Sequence, residues 1–165
     1  MENLILRNAE QKDLIEILDI FNYSVLNTTS VYLYKLRTYE EQLSWFKQKS
    51  QEGFPVIVAE YNNQIAGFAS YGHFRPFEAY NNTIENSVYV KKDFYRNGIG
   101  KILLAKIILL AKENKKHAII AVIDSENQAS INLHEQFEFK IVGNFKQIGF
   151  KFDRWLDVIF MELIL

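Results

Sequence analysis

The sequence predicts a mixed α/β fold of the α+β type, in which one sheet carries helices on both of its faces. Apolar residues change their spacing along the chain in the order β-α-α-β-β-β-α-β-α-β-β, so a hairpin-rich first half precedes a β-α-β-α-β second half. No linker or repeat interrupts the 165 residues, which predicts a single domain over residues 1–165. Hydrophobic residues make up 48% and charged residues 24%, a balance that is typical of globular proteins.

The first third of the chain predicts one strand and two helices. Residues 4–7 form a short apolar run, and residues 13–26 carry apolar side chains at helical spacing. Thr38 and Glu41 have the spacing of a capping box, in which each side chain accepts a hydrogen bond from the other residue's amide. We therefore expect the second helix to begin at Thr38 and to end near Gly53.

The middle of the chain predicts a β-hairpin and a further strand. Residues 56–61 are apolar and rich in β-branched side chains, and residues 64–72 predict a second strand that returns beside them. Asn62-Asn63 lies between the two runs and favours a tight turn. Residues 83–90 predict the next strand.

The second half of the chain predicts two helices and three strands. The first helix covers residues 98–114 and follows a glycine pair. Residues 118–123 are continuously apolar, as expected of a strand that is buried on both faces. A second helix over residues 127–137 precedes two closing strands, residues 139–150 and 155–164.

Residue counts exclude several classes of protein. Lys and Arg number 19 against 20 Asp and Glu, so the net charge is −1 and no nucleic-acid partner is expected. The absence of cysteine excludes disulfides, thiolate metal sites and a Cys nucleophile, and fits a reducing cytoplasm. Three scattered His residues do not predict a metal site.

Hydropathy predicts neither a membrane span nor a signal peptide. The most apolar run, residues 102–111, is interrupted by Lys106 and is shorter than the roughly 20 residues that a spanning helix needs. The first seven residues carry Glu2 and Arg7 and no long apolar region. We therefore expect a cytoplasmic protein without a membrane partner.

A glycine loop opens the helix that follows residues 83–90. Gly98 and Gly100 would let the backbone approach an anion closely, where amides and the positive end of the helix dipole point outward. The spacing differs from that of a P-loop, and Leu103 stands where a dinucleotide fingerprint needs its third glycine. A tight turn and a pyrophosphate loop of another type both remain possible from these residues alone.

Five motifs follow one another along the chain: Arg75-Pro76-Phe77 with Ala79-Tyr80, residues 85–90, Gly98-Ile99-Gly100-Lys101 with Leu103-Leu104, residues 127–135, and residues 149–157. In these motifs the chain resembles the GNAT superfamily of N-acetyltransferases, and within it the phosphinothricin / methionine-sulfone acetyltransferase branch. The resemblance extends over nearly the whole chain. It implies a mostly antiparallel sheet with a V-shaped splay between two central strands, one that ends at Val90 and one that begins at Ala118.

The resemblance implies acetyl-CoA as cosubstrate and no metal. The pantetheine arm would pair with the backbone of the strand at Val88, Tyr89 and Val90. The pyrophosphate would lie on the loop amides of Arg96, Asn97, Gly98, Ile99, Gly100 and Lys101. Asn127 and Ser130, on the following helix, would also contact the cofactor.

The resemblance also implies an enzyme that acetylates the amino group of a small amino-acid-like molecule by direct transfer in a ternary complex. Glu85 would act as the base, unless it is a surface carboxylate, and His134 would either donate a proton to the leaving thiolate or only pack. The acceptor would contact Arg75, Pro76, Phe77, Tyr80, Glu85, Asn86 and Ser87. A homodimer is implied as well, with late strands or loops completing the partner's pocket.

Two positions depart from the family pattern. Tyr95 stands where such loops usually begin with Arg or Gln, and Arg96 follows one position late. Glu138 replaces the glycine that usually ends the last helix with a positive φ, which costs about 1 kcal/mol or requires a different helix end.

Two alternatives to a small-molecule acetyltransferase stay open. A protein or peptide acetyltransferase would need an open groove, whereas Tyr32, Phe77 and Tyr80 are expected to wall a small pocket. A non-catalytic CoA-binding module would not need Glu85. Turnover on amines separates both alternatives from the main prediction.

Overall fold

Seven strands form one sheet in the computed structural model, which describes residues 3–165. They are β1 (Leu4–Asn8), β2 (Val56–Tyr61), β3 (Gln64–His73), β4 (Thr83–Val90), β5 (Ala118–Asp124), β6 (Lys140–Lys151) and β7 (Arg154–Ile164). Their order across the sheet is β1-β2-β3-β4-β5-β7-β6, and β4 with β5 is the one parallel pair in the described residues. The predicted element order and the mostly antiparallel sheet are confirmed. Met1 and Glu2, on which the expectation about a signal peptide partly rests, lie outside the described residues.

Four helices cover the two faces of the sheet, as predicted: α1 (Leu14–Asn27), α2 (Tyr39–Gln51), α3 (Ile99–Glu113) and α4 (Gln128–Glu135). Leu14 and Ile17 of α1 pack with Val58 and Phe68 in the core on one face. The core on the opposite face gathers α3 and α4 over β3, β4 and β5. Within residues 3–165 no helix is long and apolar enough to cross a membrane.

The predicted capping box starts α2. The Thr38 hydroxyl accepts a hydrogen bond from the Glu41 amide at 3.2 Å, and the Glu41 carboxylate accepts one from the Thr38 amide at 2.8 Å. Both of these amides lack an acceptor within the helix, and the two side chains supply one for each. The helix that follows directs Lys49, near its end, toward the middle of the sheet, where its ammonium donates to the Tyr71 carbonyl.

The hairpin between β2 and β3 turns at the predicted dipeptide. Asn62 and Asn63 have φ values of 49° and 62°, and Tyr61 pairs with Gln64 on either side of them. Two consecutive positive φ angles are what a type I′ turn requires, and Asn tolerates them better than most residues.

Helix α4 is shorter than predicted. It ends at Glu135, two residues before the expected end at residue 137. The amides of Phe137 and Phe139 both donate to the His134 carbonyl, at 3.0 and 3.2 Å, which closes the last turn tightly. Glu138 then adopts a φ of 67°, so the chain keeps the usual glycine geometry with a glutamate and bears the associated strain of about 1 kcal/mol.

Candidate active site

Strands β4 and β5 separate after a short parallel ladder and leave a gap in the middle of the sheet. They pair only over Thr83 to Glu85 and Ala118 to Ile120. Beyond these residues β4 continues to Val90 and β5 to Asp124, so the predicted splay is present. A cavity of about 1020 Å³ lies in this gap, at the upper end of the range for small-molecule sites.

β4 directs backbone hydrogen-bonding groups into the gap. The amide of Lys91, just after the strand, donates to the carbonyl of Ala66 on β3 at 2.8 Å. Backbone groups alternate in direction along a strand, so Val88 and Val90 present their N–H and C=O groups toward β5, where no strand pairs with them. An extended ligand could therefore bind there as an added strand. The Tyr89 backbone faces β3, although Tyr89 also lines the cavity.

The glycine loop closes one end of the cavity. Gly98 has a φ of 78°, a left-handed conformation that glycine adopts without strain, and a Cβ built there meets no atom within 4 Å. Helix α3 then starts without a side-chain cap, and the amides of Lys101 and Ile102 both donate to the Gly98 carbonyl. The amides that precede them at the helix start are the ones that suit an anion. Of the six predicted loop residues, all except Asn97 line the cavity.

Tyr95 and Arg96 both line the cavity despite their departure from the family pattern. Arg96 adopts a φ of 62°, which is uncommon for a residue with a Cβ. The late arginine therefore still borders the predicted pyrophosphate position, with a strained backbone of its own.

Asn127 and Ser130 meet at the N-terminus of α4, and both line the cavity. The Asn127 side-chain oxygen accepts a hydrogen bond from the Ser130 amide at 3.1 Å and so caps the helix. This bond uses the oxygen of the Asn127 amide group and leaves its NH₂ group for a ligand.

His134 is buried and bonded at both ring nitrogens. Nδ1 lies 2.8 Å from the Ser130 carbonyl oxygen, and Nε2 lies 3.0 Å from Nδ2 of Asn86 on β4. Burial lowers the pKa of His134 below its ordinary value of 6.5, against the opposing effect of the Ser130 carbonyl. A neutral ring that donates from Nδ1 must accept at Nε2, so this geometry leaves no proton on the nitrogen that meets Asn86.

The hydrogen bond from Asn86 to His134 joins β4 to α4 just beyond the vertex of the splay, because Asn86 directly follows the last β4 residue that pairs with β5. The buried side-chain oxygen of Asn86 has no hydrogen-bond partner among the described residues. This pair therefore fixes α4 beside the gap and leaves one acceptor atom free.

Glu85 lies at the vertex and lines the cavity. Burial raises the pKa of its carboxyl above the ordinary value of 4.5, while the charges of Arg75 and Lys49 oppose this rise. No hydrogen bond within residues 3–165 contributes to the shift. The site thus contains a half-buried carboxylate whose oxygens are free to receive a proton.

The predicted acceptor residues divide into two groups. Asn86 and Ser87 line the cavity beside Glu85. The others, Arg75, Pro76, Phe77 and Tyr80, lie in the exposed loop between β3 and β4 and do not line it. Arg75 stacks on Phe74 at 4.9 Å and is close enough to Glu85 to influence its pKa. The acceptor role of this loop stays a prediction.

Three charged residues at the site, Asp124, Glu126 and Lys49, were not predicted from the sequence. Asp124, at the end of β5, lines the cavity; its buried Oδ2 has no hydrogen-bond partner in the described part of the chain but lies 3.7 Å from Nη2 of Arg154. Burial and the Asp124 charge raise the pKa of the nearby Tyr32 to about 12. Lys49 was missed because none of the motifs that predicted the site lies in helix α2, whereas the position of Asp124 three residues before Asn127 could have marked it.

No group of three His, Asp or Glu side chains within residues 3–165 has the arrangement of a metal site.

The sequence and the structure are similar to those of known acetyltransferases. Residues 6–160 match the model of the acetyltransferase (GNAT) domain family. A methionine sulfoximine and methionine sulfone acetyltransferase of Pseudomonas aeruginosa is 40% identical, over 96% of this chain and 92% of that protein. A GNAT phosphinothricin acetyltransferase from Sinorhizobium meliloti, solved with acetyl-CoA, superposes with a TM-score of 0.95 at 33% identity, covering 99% of this chain and 89% of that one. A ribosomal-protein-alanine N-acetyltransferase from Brucella melitensis has a TM-score of 0.96 at 44% identity, covering 98% and 99%.

Proposed function

Because the chain belongs to the GNAT acetyltransferase family, we propose that it transfers the acetyl group of acetyl-CoA to the amino group of a small amino-acid-like acceptor. The observation that carries this proposal is the gap between β4 and β5. It has the uncapped start of α3, which suits an anion, on one side and a carboxylate without a hydrogen bond from residues 3–165 at its vertex.

The residues around the gap fit acetyl-CoA. The free backbone groups of Val88 and Val90 match the amides of a pantetheine arm, and the start of α3 matches a pyrophosphate. Lys101 and Arg96 add positive charge at that end. The NH₂ group of Asn127 would complete the set from the α4 side.

The chemistry that we propose is direct transfer and needs no covalent enzyme intermediate. Glu85 removes one proton from the acceptor ammonium, directly or through water, and its raised pKa brings its basicity closer to neutral pH. The neutral nitrogen then bonds to the thioester carbon, the C–S bond breaks so that CoA leaves as a thiolate, and the second proton of the nitrogen passes to solvent. The Val88 amide donates to the carbonyl oxygen on which negative charge develops. The thiolate is a good leaving group and needs no acid, which agrees with the absence of a proton on His134 Nε2.

The acceptor that we propose is an amino acid or an analogue of one. Arg75 would hold an anionic group in a two-pronged hydrogen bond, and movement of its loop would bring it over the vertex. Asn86 offers a free acceptor oxygen, which suits a donor such as an amine.

A protein acceptor is a second candidate because of the similarity to the Brucella melitensis ribosomal-protein-alanine acetyltransferase. The volume of the cavity favours a small acceptor, since the cofactor arm must share it. A CoA-binding module without catalysis would not need a carboxylate such as Glu85 at the vertex of the gap.

We also propose that the protein is a homodimer. Six apolar side chains of the hairpin of β6 and β7 are exposed by 43–60%, namely Ile141, Val142, Phe145, Ile148, Phe150 and Trp155. Exposed apolar residues in such number are typical of an interaction site, and a second copy is the partner that the family resemblance suggests. The use of acetyl-CoA supports the cytoplasm as its location.

The test is an acceptor panel with acetyl-CoA and the wild-type protein. Release of CoA can be followed with a thiol reagent without background, because the protein has no cysteine. We expect turnover with methionine sulfone, methionine sulfoximine or phosphinothricin. Labelled acetyl-CoA and ribosomal proteins form the second arm, and label on protein alone would favour the second candidate. Tight binding of acetyl-CoA without turnover on any amine would instead indicate a binding module.

A further inference from the structure

Helix α2 brings a lysine to the strand pair that contains Glu85. Gly72 on β3 is the register partner of Glu85 on β4. A Cβ built on Gly72 would lie 2.5 Å from Nζ of Lys49 and 3.9 Å from its Cε. The ammonium of Lys49 therefore occupies the space above Gly72 that a side chain opposite Glu85 would otherwise fill.

This arrangement brings a positive charge close to Glu85 without an ion pair between the two side chains in the described residues. Cβ atoms of directly opposite residues in an antiparallel pair are about 4.5–5.5 Å apart, so the ammonium takes the place of a cross-strand neighbour. An ion pair would engage the carboxylate oxygens, and Lys49 with Glu85 is not among the ion pairs of the described residues. The oxygens stay free for a proton while they experience the charge.

Lys49 is held in this place by contacts that do not involve Glu85. Its Nζ donates to the Tyr71 carbonyl oxygen at 2.7 Å. The same atom lies 5.2 Å from the ring centroid of Phe54 and 6.0 Å from that of Trp45. A hydrogen bond and two aromatic rings therefore fix the cation beside the strand pair before any ligand binds.

Other charges act on the same pair. Arg75, on the loop after β3, lowers the pKa of Glu85 together with Lys49. Burial lowers the pKa of Lys49, and the negative charges of Glu52, at the end of α2, and of Glu85 oppose this effect. Lys116 also contacts the Phe54 ring, with its Nζ 5.8 Å from the centroid, and it does not contribute to the pKa shift of Glu85. Of these cations, Lys49 is the one that fills the space above Gly72, the partner of Glu85.

We propose that Lys49 is a positioning residue for the reaction: its ammonium, seated above Gly72, keeps the Glu85 carboxylate ionised in its half-buried site without bonding to it. The catalytic consequence rests on the proposed function, because it assumes that Glu85 is the base. The electrostatic coupling itself does not depend on that assumption. Lys49 and Gly72 act together, since a larger residue at position 72 would displace the ammonium.

The experiment compares Lys49→Met with the wild type in two measurements. One is the titration of the Glu85 carboxyl by NMR with ¹³C-labelled glutamate, assigned through Glu85→Gln. The other is the pH profile of kcat/KM for the acceptor amine. We expect both the titration midpoint and the acidic limb to rise by about 0.5–2 pH units, the effect of a charge about 6 Å away at an effective dielectric constant of about 80 to 20.

Two further variants serve as control and as second test. Lys47→Met removes an exposed charge from the same helix and should move neither measurement. Gly72→Ala retains Lys49 but displaces its ammonium, so both measurements should move in the same direction as in Lys49→Met. If Lys49→Met does not fold, Gly72→Ala decides the question.

An unchanged Glu85 midpoint in folded Lys49→Met would overturn the inference, whatever the activity. The base assignment is separate: if Glu85→Gln kept the wild-type rate, the assignment of Glu85 as base and the catalytic role of Lys49 would fail together. The NMR midpoint would still decide whether the two residues are coupled.

Discussion

At the scale of single residues, Glu85 and His134 lie in different environments, and these environments suit them to different roles. Glu85 is half-buried and its carboxylate receives no hydrogen bond from residues 3–165, so it can exchange a proton with a ligand. His134 is buried and has both ring nitrogens engaged, so it holds neighbouring groups in place. Neither environment could be predicted from the sequence, because the Glu85 environment depends on cations from other elements and the His134 environment on a contact 48 residues away in the chain.

Replacing the base should slow acetylation in a pH-dependent way. Glu85→Gln should leave the affinity for acetyl-CoA nearly unchanged and lower kcat/KM for the amine by about 10²–10⁴, the usual contribution of a positioned base. The loss should shrink as the pH rises, because more of the amine is then already neutral. A loss confined to KM that does not shrink would mean that Glu85 only attracts the ammonium. The measurement is the steady-state rate of both proteins from about pH 6 to about pH 9, a range that contains the pKa of an α-amino group at about 8.

Replacing His134 by glutamine tests whether it donates a proton. The Gln side-chain oxygen can accept the hydrogen bond from Asn86, so His134→Gln should keep kcat within about tenfold of the wild type, whereas loss of a general acid costs about 10²–10⁴. Single-turnover rates at alkaline pH measure this directly. A loss of a thousandfold in a folded variant would restore His134 as the acid.

The same variant should flatten the dependence of stability on pH. The pKa of His134 is lower in the folded protein than its ordinary value of 6.5, so the unfolded chain binds more protons when the pH falls below that value. The wild type should therefore lose free energy of unfolding as the pH drops from 6.5 toward the folded pKa, and His134→Gln should lose less. Urea unfolding at pH 7.5 and at pH 5.5, values about one unit on either side, compares the two.

At the scale of elements, local sequence signals predicted where helices and strands begin better than where they end. The capping box at Thr38 and the Asn62-Asn63 turn act through neighbouring residues, and both were predictable. The end of α4 was not, because Glu138 adopts a backbone conformation that its residue type disfavours. The position of the Lys49 ammonium above Gly72 depends on the β3–β4 register and on the packing of α2, and no local sequence pattern encodes either of them.

The start of α3 offers a test of the proposed pyrophosphate position. A Cβ built on Gly100 lies 3.4 Å from Leu133 and 3.7 Å from Val90, ordinary contacts, so Gly100→Val should fold. Its γ-methyl groups should then intrude on the ligand and weaken acetyl-CoA binding about 10–100-fold, since overpacking costs about 1–3 kcal/mol. Calorimetry measures the affinity, and Gly100→Ala should show a smaller effect. Unchanged affinity in a folded Val variant would remove the loop from the binding site.

At the scale of the whole molecule, the fold class and the splay of β4 and β5 were predictable because several motifs occur in family order. The motif residues that border the cavity from β4, the glycine loop and α4 were predictable for the same reason. The loop of Arg75 was expected at the acceptor, yet it lies outside the cavity, because motif order does not encode how an exposed loop rests. Asp124 lies outside the five motifs, and its position three residues before Asn127 was the one signal that could have indicated it.

The apolar hairpin of β6 and β7 gives the test of the homodimer. Light scattering should yield twice the mass of one chain for the wild type. Ile148→Lys should shift the protein toward the monomer, because it places a charge among the exposed apolar side chains. Ile5→Lys is the matched control, since Ile5 is 56% exposed on β1 at the opposite edge of the sheet and Ile148 is 55% exposed. A monomeric wild type at the same concentration would contradict the proposal.

The splay of β4 and β5 has a consequence for amide exchange with solvent. The amides of Val88 and Val90 lie in the middle of a seven-stranded sheet but face the gap, whereas those of Ser87 and Tyr89 face β3. In the free protein, deuterium should therefore enter alternate positions of one strand quickly and the intervening ones slowly. Bound acetyl-CoA should slow the exchange of the Val88 and Val90 amides and leave the other amides of β4 unchanged. The alternation would then disappear, because a central strand protected on one side becomes protected on both.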